Sequence, residues 1–276
     1  MSVLPTDQLD LFFTIATDAP PKEAQDLMSR NWFNLSKRKR IEPIEHKFGD
    51  QFIKIEGDER YGIATIYDND FLIFMTAQYV EAMNSGLPTS RTFAFTGYEY
   101  FTFLGKKRLS GKGYKDLWAS LQRLHHTFIE TNIRQGDSLR HHSFNLLSEV
   151  KQTIEDGKHR GYEVVVPEWF YDTITKHKNV LTLDPRYFEL KGGIERFLYM
   201  YARKSAGGND NGWSEPLNRL YIKSGVKSSR SDFKRQVIRA IEEGKIPEYN
   251  INEYSDRRNN GFHFERKIPL SRKRRG

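Results

Sequence analysis

A basic amphipathic segment near the end of the chain carries the residues best suited to bind a polyanion. Six lysines and arginines and a single acidic residue, Asp232, fall between Lys223 and Arg239. Spacings of three and four predict a helix over residues 228–243. Its buried face would consist of Phe233, Val237, Ala240 and Ile241. The opposite face would carry Ser228, Ser231, Arg235 and Arg239. Such a face can bind phosphate groups. The alternative interpretation is an ordinary charged helix face that contacts only solvent.

A hairpin is predicted directly after this helix. Apolar residues alternate with polar ones, as in strands with one buried face, at Tyr249, Ile251, Phe262 and Phe264. We place the turn at residues 259–261, because Asn-Gly is a preferred two-residue turn. Arg257 and Arg258 would then lie at the tip. A helix followed by a hairpin is the outline of a winged helix, so the pattern favours nucleic acid as the ligand.

The predicted contacts with DNA follow from this geometry. A helix in the major groove can distinguish all four base pairs, whereas hairpin tips mostly grip phosphate and sugar. Arg235 is therefore the first candidate for a base contact. The full predicted set comprises Ser228, Arg230, Ser231, Lys234, Arg235 and Arg239 on the helix, Arg257 and Arg258 at the wing, and Lys112, Lys115 and Arg123 on an earlier helix. Surface charge that serves only solubility is the alternative for each of them.

Composition points to the same kind of partner. The chain has 276 residues, a formal net charge of +8 and a pI near 9.4, with the excess clustered at residues 37–40, 223–239 and 272–275. It has no cysteine, which excludes disulfides, thiolate metal sites and cysteine nucleophiles and suits a reducing interior. We expect a cytoplasmic protein without metal or cofactor. No apolar run reaches the ~20 residues of a membrane span, and the N-terminus lacks the pattern of a secretion signal.

The predicted elements place these motifs. Helices are expected at residues 68–86, 96–104, 113–128, 168–175, 193–205, 215–224 and 228–243. Strands are expected at residues 51–56, 61–67, 128–133, 140–147, 162–166 and 180–183, besides the C-terminal hairpin. The helix at residues 68–86 is apolar on nearly all sides, so it should lie deep in a core.

Length and element order predict two domains of α+β structure. Three helices followed by a small sheet occur twice, which indicates a structural duplication. Each domain would be a winged helix, with a three-helix core and a small antiparallel sheet or wing. We predict a flexible tail over residues 1–30, a first domain over residues 31–178, a second over residues 179–267 and a basic tail over residues 268–276.

Ordered motifs across residues 31–265 carry a resemblance to a known family. They are FNLSKRKR (residues 33–40), YGIATIYD (61–68), PTSRT (88–92), LQRL (121–124), TNIR (131–134), GGIERFLY (192–199) and ARK (202–204). Together they resemble the replication initiator protein A family of plasmids, whose members are similar to initiators built from two winged-helix domains. The first 30 residues and the basic C-terminal tail lie outside this resemblance.

The resemblance implies a function. A member of this family would bind repeated sites (iterons) in the double-stranded DNA of a plasmid origin, promote opening of the origin and repress its own promoter. The implied partners are the host initiator and replicative helicase proteins and a second copy of the chain, in a monomer–dimer equilibrium. In similar initiators the second domain reads the major groove, while the first contacts the DNA backbone and holds the dimer interface.

Two other functions remain open from the residues alone. A rolling-circle nickase would attack DNA through a tyrosine and hold a metal between two histidines that flank one apolar residue. The chain has 14 tyrosines, but its histidines occur as adjacent pairs at residues 125–126 and 141–142 or singly, as at His263. It also lacks a phosphate-binding glycine loop, so we expect no enzyme. A transcriptional repressor of the same fold would bind DNA in the same way and differ only in what it recruits.

Overall fold

The computed structural model describes residues 11–28, 30–106, 110–132, 134–135, 138–139, 141–255 and 260–268. Seven α-helices lie in these residues: α1 (Asn69–Asn84), α2 (Gly97–Phe103), α3 (Gly111–His126), α4 (Glu168–Thr175), α5 (Gly193–Ser205), α6 (Leu217–Ser224) and α7 (Arg230–Glu242). Two 3-10 helices cover Gln25–Leu27 and Pro185–Glu189. Every helix predicted from the sequence is confirmed, with small shifts of the ends.

Fifteen strands complete the described elements. They are β1 (Leu11–Phe13), β2 (Lys22–Ala24), β3 (Ile44–Phe48), β4 (Gln51–Glu56), β5 (Thr92–Phe95), β6 (Phe128–Thr131), β7 (Arg134–Gln135), β8 (Ser138–Leu139), β9 (His142–Asn145), β10 (Glu149–Glu155), β11 (Lys158–Val165), β12 (Val180–Thr182), β13 (Trp213–Pro216), β14 (Tyr249–Ser255) and β15 (Asn260–Arg266). The predicted α+β class is therefore confirmed.

The same order of elements occurs in both halves of the chain. It runs α1, β5, α2, α3, β10, β11 in the first half and α5, β13, α6, α7, β14, β15 in the second. In each half the three strands form an antiparallel sheet with the last strand in the centre, β5-β11-β10 and β13-β15-β14. The first half carries an inserted second sheet, β3-β4-β6-β9. Consequently α3 and α7 hold corresponding places in the two halves.

α1 lies in the centre of the core, as its apolar composition predicts. Each of its residues from Asn69 to Val80 is buried. The rings of Phe71 and Phe74 pack on Phe95 of β5, with centroids 5.0 and 5.8 Å apart. Aromatic pairs in such tilted arrangements add to the energy of burial. This cluster fixes the first sheet on α1.

Residues 11–28 belong to the folded core, so the prediction of a flexible tail is wrong for this segment. β1 pairs in parallel with β5, and β2 pairs with β12. Phe12 is buried and its ring stacks on that of Tyr79 at 4.9 Å. The local sequence gives no signal for this arrangement, because the partners of these two short strands lie far away along the chain.

The remaining differences concern strands. Residues 61–67 form turns and not the predicted strand; their backbone is held by a hydrogen bond from the amide of Ile63 to the carbonyl of Arg40, at 2.8 Å. β10 is an edge strand with mostly exposed residues. It therefore lacks the apolar alternation from which strands are predicted.

Buried polar contacts join the two halves. Arg196 of α5 forms an ion pair with Asp70 of α1 at 2.6 Å, and its guanidinium lies over the rings of Tyr67 and Tyr187. The imidazole of His46 on β3 contacts the backbone carbonyl of Ile222 on α6 at 3.0 Å. These contacts fix the position of α7 relative to the first half.

Candidate nucleic-acid interface

α7 has one face buried and one face exposed, as its periodicity predicts. Ser229 precedes it, and its hydroxyl accepts a hydrogen bond from the amide of Asp232 at 3.1 Å, which caps the helix. Phe233, Val237 and Ala240 are buried in the core of the second half of the protein, where α7 contacts α5, α6 and β14. This packing directs the other face of the helix to solvent.

The outer face of α7 presents the predicted cations. The side chains of Arg235 and Arg239 are 79% and 82% exposed. Arg230 and Ser231 are exposed as well, whereas Ser228, just before the helix, is half-buried. The structure therefore brings the predicted residues of this segment to one surface, with Arg235 near its middle.

Carboxylates pair with three cations of this surface in the free protein. The pairs are Arg235–Asp232, Arg239–Glu243 and Lys234–Glu253, the last of which joins α7 to β14. Hydrogen bonds from Ser229 and Arg235 lower the pKa of Asp232 from its usual value. Exposed ion pairs contribute only about 0–1 kcal/mol each. A DNA phosphate can therefore replace these carboxylates at little cost.

The hairpin after α7 has the predicted burial but a different turn. Tyr249, Ile251, Phe262 and Phe264 all point into the core. Ser255 pairs with Asn260, and Tyr254 pairs with Gly261. Asn260 and Gly261 are thus strand residues, so the predicted turn at residues 259–261 is wrong. Arg257 and Arg258, the predicted wing contacts, lie outside the described residues.

Two of the three candidates on α3 are exposed. The ammonium group of Lys112 lies 4.0 Å from Asp116, and Lys115 also faces solvent. Ser110 caps α3 with a hydrogen bond from the amide of Gly113 at 3.2 Å, much as Ser229 caps α7. Both lysines stay candidates for contacts with the DNA backbone.

Arg123 does not belong to an exposed basic face, contrary to the prediction. Its Nε and Nη2 donate to the two carboxylate oxygens of Asp68 at 2.7 and 2.6 Å. The carboxylate of Asp68 is buried and also accepts hydrogen bonds from Thr65. Helical spacing places Arg123 on the outer side, but the loop before α1 covers that part of α3. The arginine therefore fastens α3 to the start of α1.

A groove of about 1010 Å³ lies beside α7. One wall is formed by the loop around residues 34–42, and the other includes Gln236, Arg239 and Glu243. The start of α5 also lines it. The charge count identifies the basic cluster at residues 37–40, but the sequence does not reveal that the fold places this cluster next to α7.

The histidines considered for a nickase take part in local contacts. His126 lies 3.0 Å from the carboxylate of Asp58, and His263 shares a 2.8 Å hydrogen bond with the hydroxyl of Ser214. Among the described residues, no three His, Asp or Glu side chains are grouped so that they could hold a metal ion. In the same part of the chain, every helix is too short or too polar to cross a bilayer.

Comparison with solved structures gives the class of fold. A crystal structure of domains 2 and 3 of RctB superposes with a TM-score of 0.62 at 14% identity, covering 89% of this chain and 99% of that one. A second structure of the same RctB domains gives a TM-score of 0.57, also at 14% identity, and covers 89% and 97% of the two chains. The protein thus shares the mixed α+β architecture of these domains.

Sequence comparison gives the family. The model of Replication initiator protein A matches residues 22–251. A protein of Wigglesworthia glossinidia brevipalpis named "Putative replication protein" is 31% identical over 221 residues, which are 76% of this chain and 78% of the relative. The chain therefore belongs to the replication initiator protein A family, as its ordered motifs predict. The protein takes part in DNA replication, in the initiation of plasmid replication.

Proposed function

We propose that this protein initiates plasmid replication by binding repeated sites of double-stranded DNA in the origin. The observation that carries this proposal is the surface of α7, where exposed cations lie opposite a buried apolar face in a member of an initiator family. The two parts, residues 31–178 and 179–267, would act as tandem winged helices. The order helix, strand, helix, helix, strand, strand is typical of that fold.

The proposed complex places α7 in the major groove. Arg235 would contact base edges, with Ser231 and Arg239 beside it, because bidentate arginine contacts distinguish guanine from other bases. Ser228, Arg230 and Lys234 would complete the contacts of the helix. From the first half, Lys112 and Lys115 would contact the backbone. Arg257 and Arg258 of the wing stay predicted contacts.

Binding to repeated sites would lead to opening of the origin. Several initiators along one face of the duplex would bend it, and the bend could strain a neighbouring A·T-rich element. The host initiator and replicative helicase proteins are the proposed partners. A dimeric form would repress the protein's own promoter. This function takes place in the cytoplasm and needs no catalytic residue, metal or cofactor.

Footprinting of the DNA that flanks the gene tests the proposal. We expect evenly spaced protected segments, together with adjacent bases that become reactive toward a single-strand-sensitive reagent at saturation. Absence of protection at low salt would contradict DNA binding. Protection without reactive bases would contradict opening by this protein alone.

Two further measurements separate the rival functions. A minimal plasmid that lacks this gene should fail to replicate unless the gene is supplied in trans. If the plasmid replicates without the gene, the protein would be a transcriptional repressor and not an initiator. Incubation with supercoiled origin DNA and magnesium should leave the DNA intact. A nicked product or a covalent tyrosyl adduct would instead identify a nickase.

A further inference from the structure

We infer that the groove beside α7 binds the sugar-phosphate backbone of DNA, with Arg38 and Lys191 as its phosphate ligands. This inference rests on the proposed function and adds a second contact surface to it. Both proposed phosphate ligands lie outside the predicted recognition helix and wing, although α7 forms one wall of the groove.

Cations outnumber carboxylates in the lining of the groove. The cations are Arg38, Lys39, Arg40, Lys191, Lys227, Arg239 and Lys245. The carboxylates in the lining are Glu42, Glu189, Glu195 and Glu243. Glu195 already accepts a hydrogen bond from the amide of Gly192, at 2.8 Å, at the start of α5. Positive charge therefore predominates between the two walls, where low-dielectric surroundings strengthen its attraction for an anion.

Arg38 and Lys191 differ from three of the cations of α7. Arg235, Arg239 and Lys234 each have a carboxylate partner. Within the described part of the chain, neither Arg38 nor Lys191 lies within ion-pair distance of a carboxylate, and both are exposed. A phosphate can bind them without first displacing a carboxylate. They are therefore the strongest candidates for phosphate contacts in the groove.

The loop that carries Arg38 is held in one shape by its own hydrogen bonds. The side-chain amide of Asn34 donates to the carbonyl of Arg38 at 2.6 Å. The hydroxyl of Ser36 accepts a hydrogen bond from the amide of Arg38 at 3.1 Å. Because the backbone is already ordered, DNA binding would fix only the side chain of Arg38, which lowers the entropic cost of the contact.

Arg40 anchors this loop to the second half. Its guanidinium donates to the carbonyl of Gly225 at 2.6 Å, and it also donates to the carbonyls of Glu42 and Pro43. Each of its three guanidinium nitrogens has a carbonyl partner, so Arg40 positions the loop and is not proposed as a phosphate ligand. The anchor keeps Arg38 at a fixed distance from α7.

The groove also has a suitable position for a DNA strand. α7 contributes Gln236 and Arg239 to its lining, and Arg239 lies on the same outer face as Arg235. A helix in the major groove is bordered by a phosphate backbone on each side, since this groove is only about 12 Å wide. One of these backbones would pass along the side of α7 that faces Arg38 and Lys191.

A double variant with a matched control tests the inference. The test variant is R38A/K191A, which removes two exposed side chains and leaves the backbone contacts of the loop intact. The control is K151A/K176A, which removes the same charge from β10 and from the end of α4, at residues that do not line the groove. The measurement is the affinity for a mixed-sequence duplex over a range of salt concentrations.

The test variant should show a weaker dependence of affinity on salt than the control. The slope of log affinity against log salt should fall by about 1.8, since each phosphate contact contributes about 0.9. Over a roughly fourfold rise in salt, the control should lose roughly 12-fold more affinity than the test variant.

Equal slopes for the two variants would overturn the inference. The proposed function would still stand if both variants protected the same origin segments in a footprint. If the unaltered protein bound no duplex at all, the proposed function would fail, and the inference would fail with it.

Discussion

Arg235 and Arg123 show how burial decides the role of an arginine. Both guanidinium groups pair with an aspartate, Asp232 and Asp68 respectively. Asp232 is partly exposed and its partner Arg235 is largely exposed, so their pair is weak and can be exchanged for a phosphate or a base. Asp68 is buried, so loss of its arginine would leave an uncompensated charge in the interior. The sequences around Arg235 and Arg123 are alike, and only the structure distinguishes the roles of the two arginines.

Replacement of Arg235 by alanine should reduce discrimination between DNA sites. A bidentate contact with guanine contributes about 1–3 kcal/mol of discrimination. The measurement compares the affinity of Arg235→Ala for a protected origin segment and for single-base variants of it. Arg160→Ala, which removes an exposed arginine paired with Glu155, is the control and should keep full discrimination. An equal loss on mixed-sequence DNA would assign Arg235 to the phosphate backbone.

Replacement of Arg123 by alanine should instead destabilise the fold. Breaking a buried ion pair costs about 3–5 kcal/mol, and the partial exposure of Arg123 puts this case near the lower end. Arg186→Ala is the control, because Arg186 makes the same two-pronged contact with Asp184 at the surface; we expect little change in stability there, since exposed ion pairs contribute little. Urea unfolding measures the stability of both variants. An unchanged stability of Arg123→Ala combined with weaker DNA binding would return Arg123 to the interface.

At the scale of elements, the sequence predicts what local patterns encode. α7 carries an apolar stripe at Phe233, Val237 and Ala240 and a serine cap, so both its existence and its exposed face follow from the sequence. β1 and β2 depend on partners in distant segments, and no local pattern reports such pairing. The groove beside α7 could not be predicted for the same reason. Arg38 and Lys191 are far apart in the sequence and line one groove only in the folded chain.

The contact between α5 and the loop at residues 34–42 gives an element-scale prediction. A Cβ added at Gly193, the first residue of α5, would lie 1.9 Å from the carbonyl oxygen of Leu35. Gly193→Ala should therefore push the loop away from α5 and cost about 1–3 kcal/mol or more. Gly111 is the first residue of α3, and a Cβ there would meet open space.

Gly111→Ala is accordingly the control for Gly193→Ala. Alanine is the better helix former by roughly 0.5–1 kcal/mol, so this variant should be as stable as the unaltered protein or slightly more stable. Urea unfolding of the two variants isolates the steric contact with Leu35. A similar stability for both would show that α5 and the loop can separate freely.

At the scale of the whole molecule, the N-terminal segment holds the two halves together. Glu23 of β2 pairs in register with Leu181 of β12. Its carboxyl group is buried and accepts hydrogen bonds from the side chain of Asn69 at 2.5 Å and from the amide of Ala24 at 2.9 Å. The next residue of α1, Asp70, binds Arg196 of α5. A change at Glu23 therefore acts where three parts of the chain meet.

Glu23 should make the stability of the protein depend on pH. Burial raises the pKa of its carboxyl group to about 8, from an ordinary value of 4.5. Between these values the folded protein retains a proton that the unfolded chain has lost. The contribution to stability is therefore fully present below about pH 4.5 and declines as the pH rises toward 8, by at most about 1.4 kcal/mol for each pH unit.

Glu23→Gln should remove this decline, because a neutral amide keeps the shape of the protonated carboxyl group. The new NH2 group would face Nδ2 of Asn69, so the side-chain amide of Asn69 must turn over; its Oδ1, which has no hydrogen-bond partner among the described residues, can then accept from glutamine. The measurement is the free energy of unfolding in urea at several pH values between 5 and 8 for the unaltered protein and Glu23→Gln. Glu149→Gln, at an exposed position of β10, is the control and should follow the unaltered protein. Parallel curves for Glu23→Gln and the unaltered protein would show that the Glu23 carboxyl is already ionised in the fold, and the junction of the two halves would then be insensitive to its protonation.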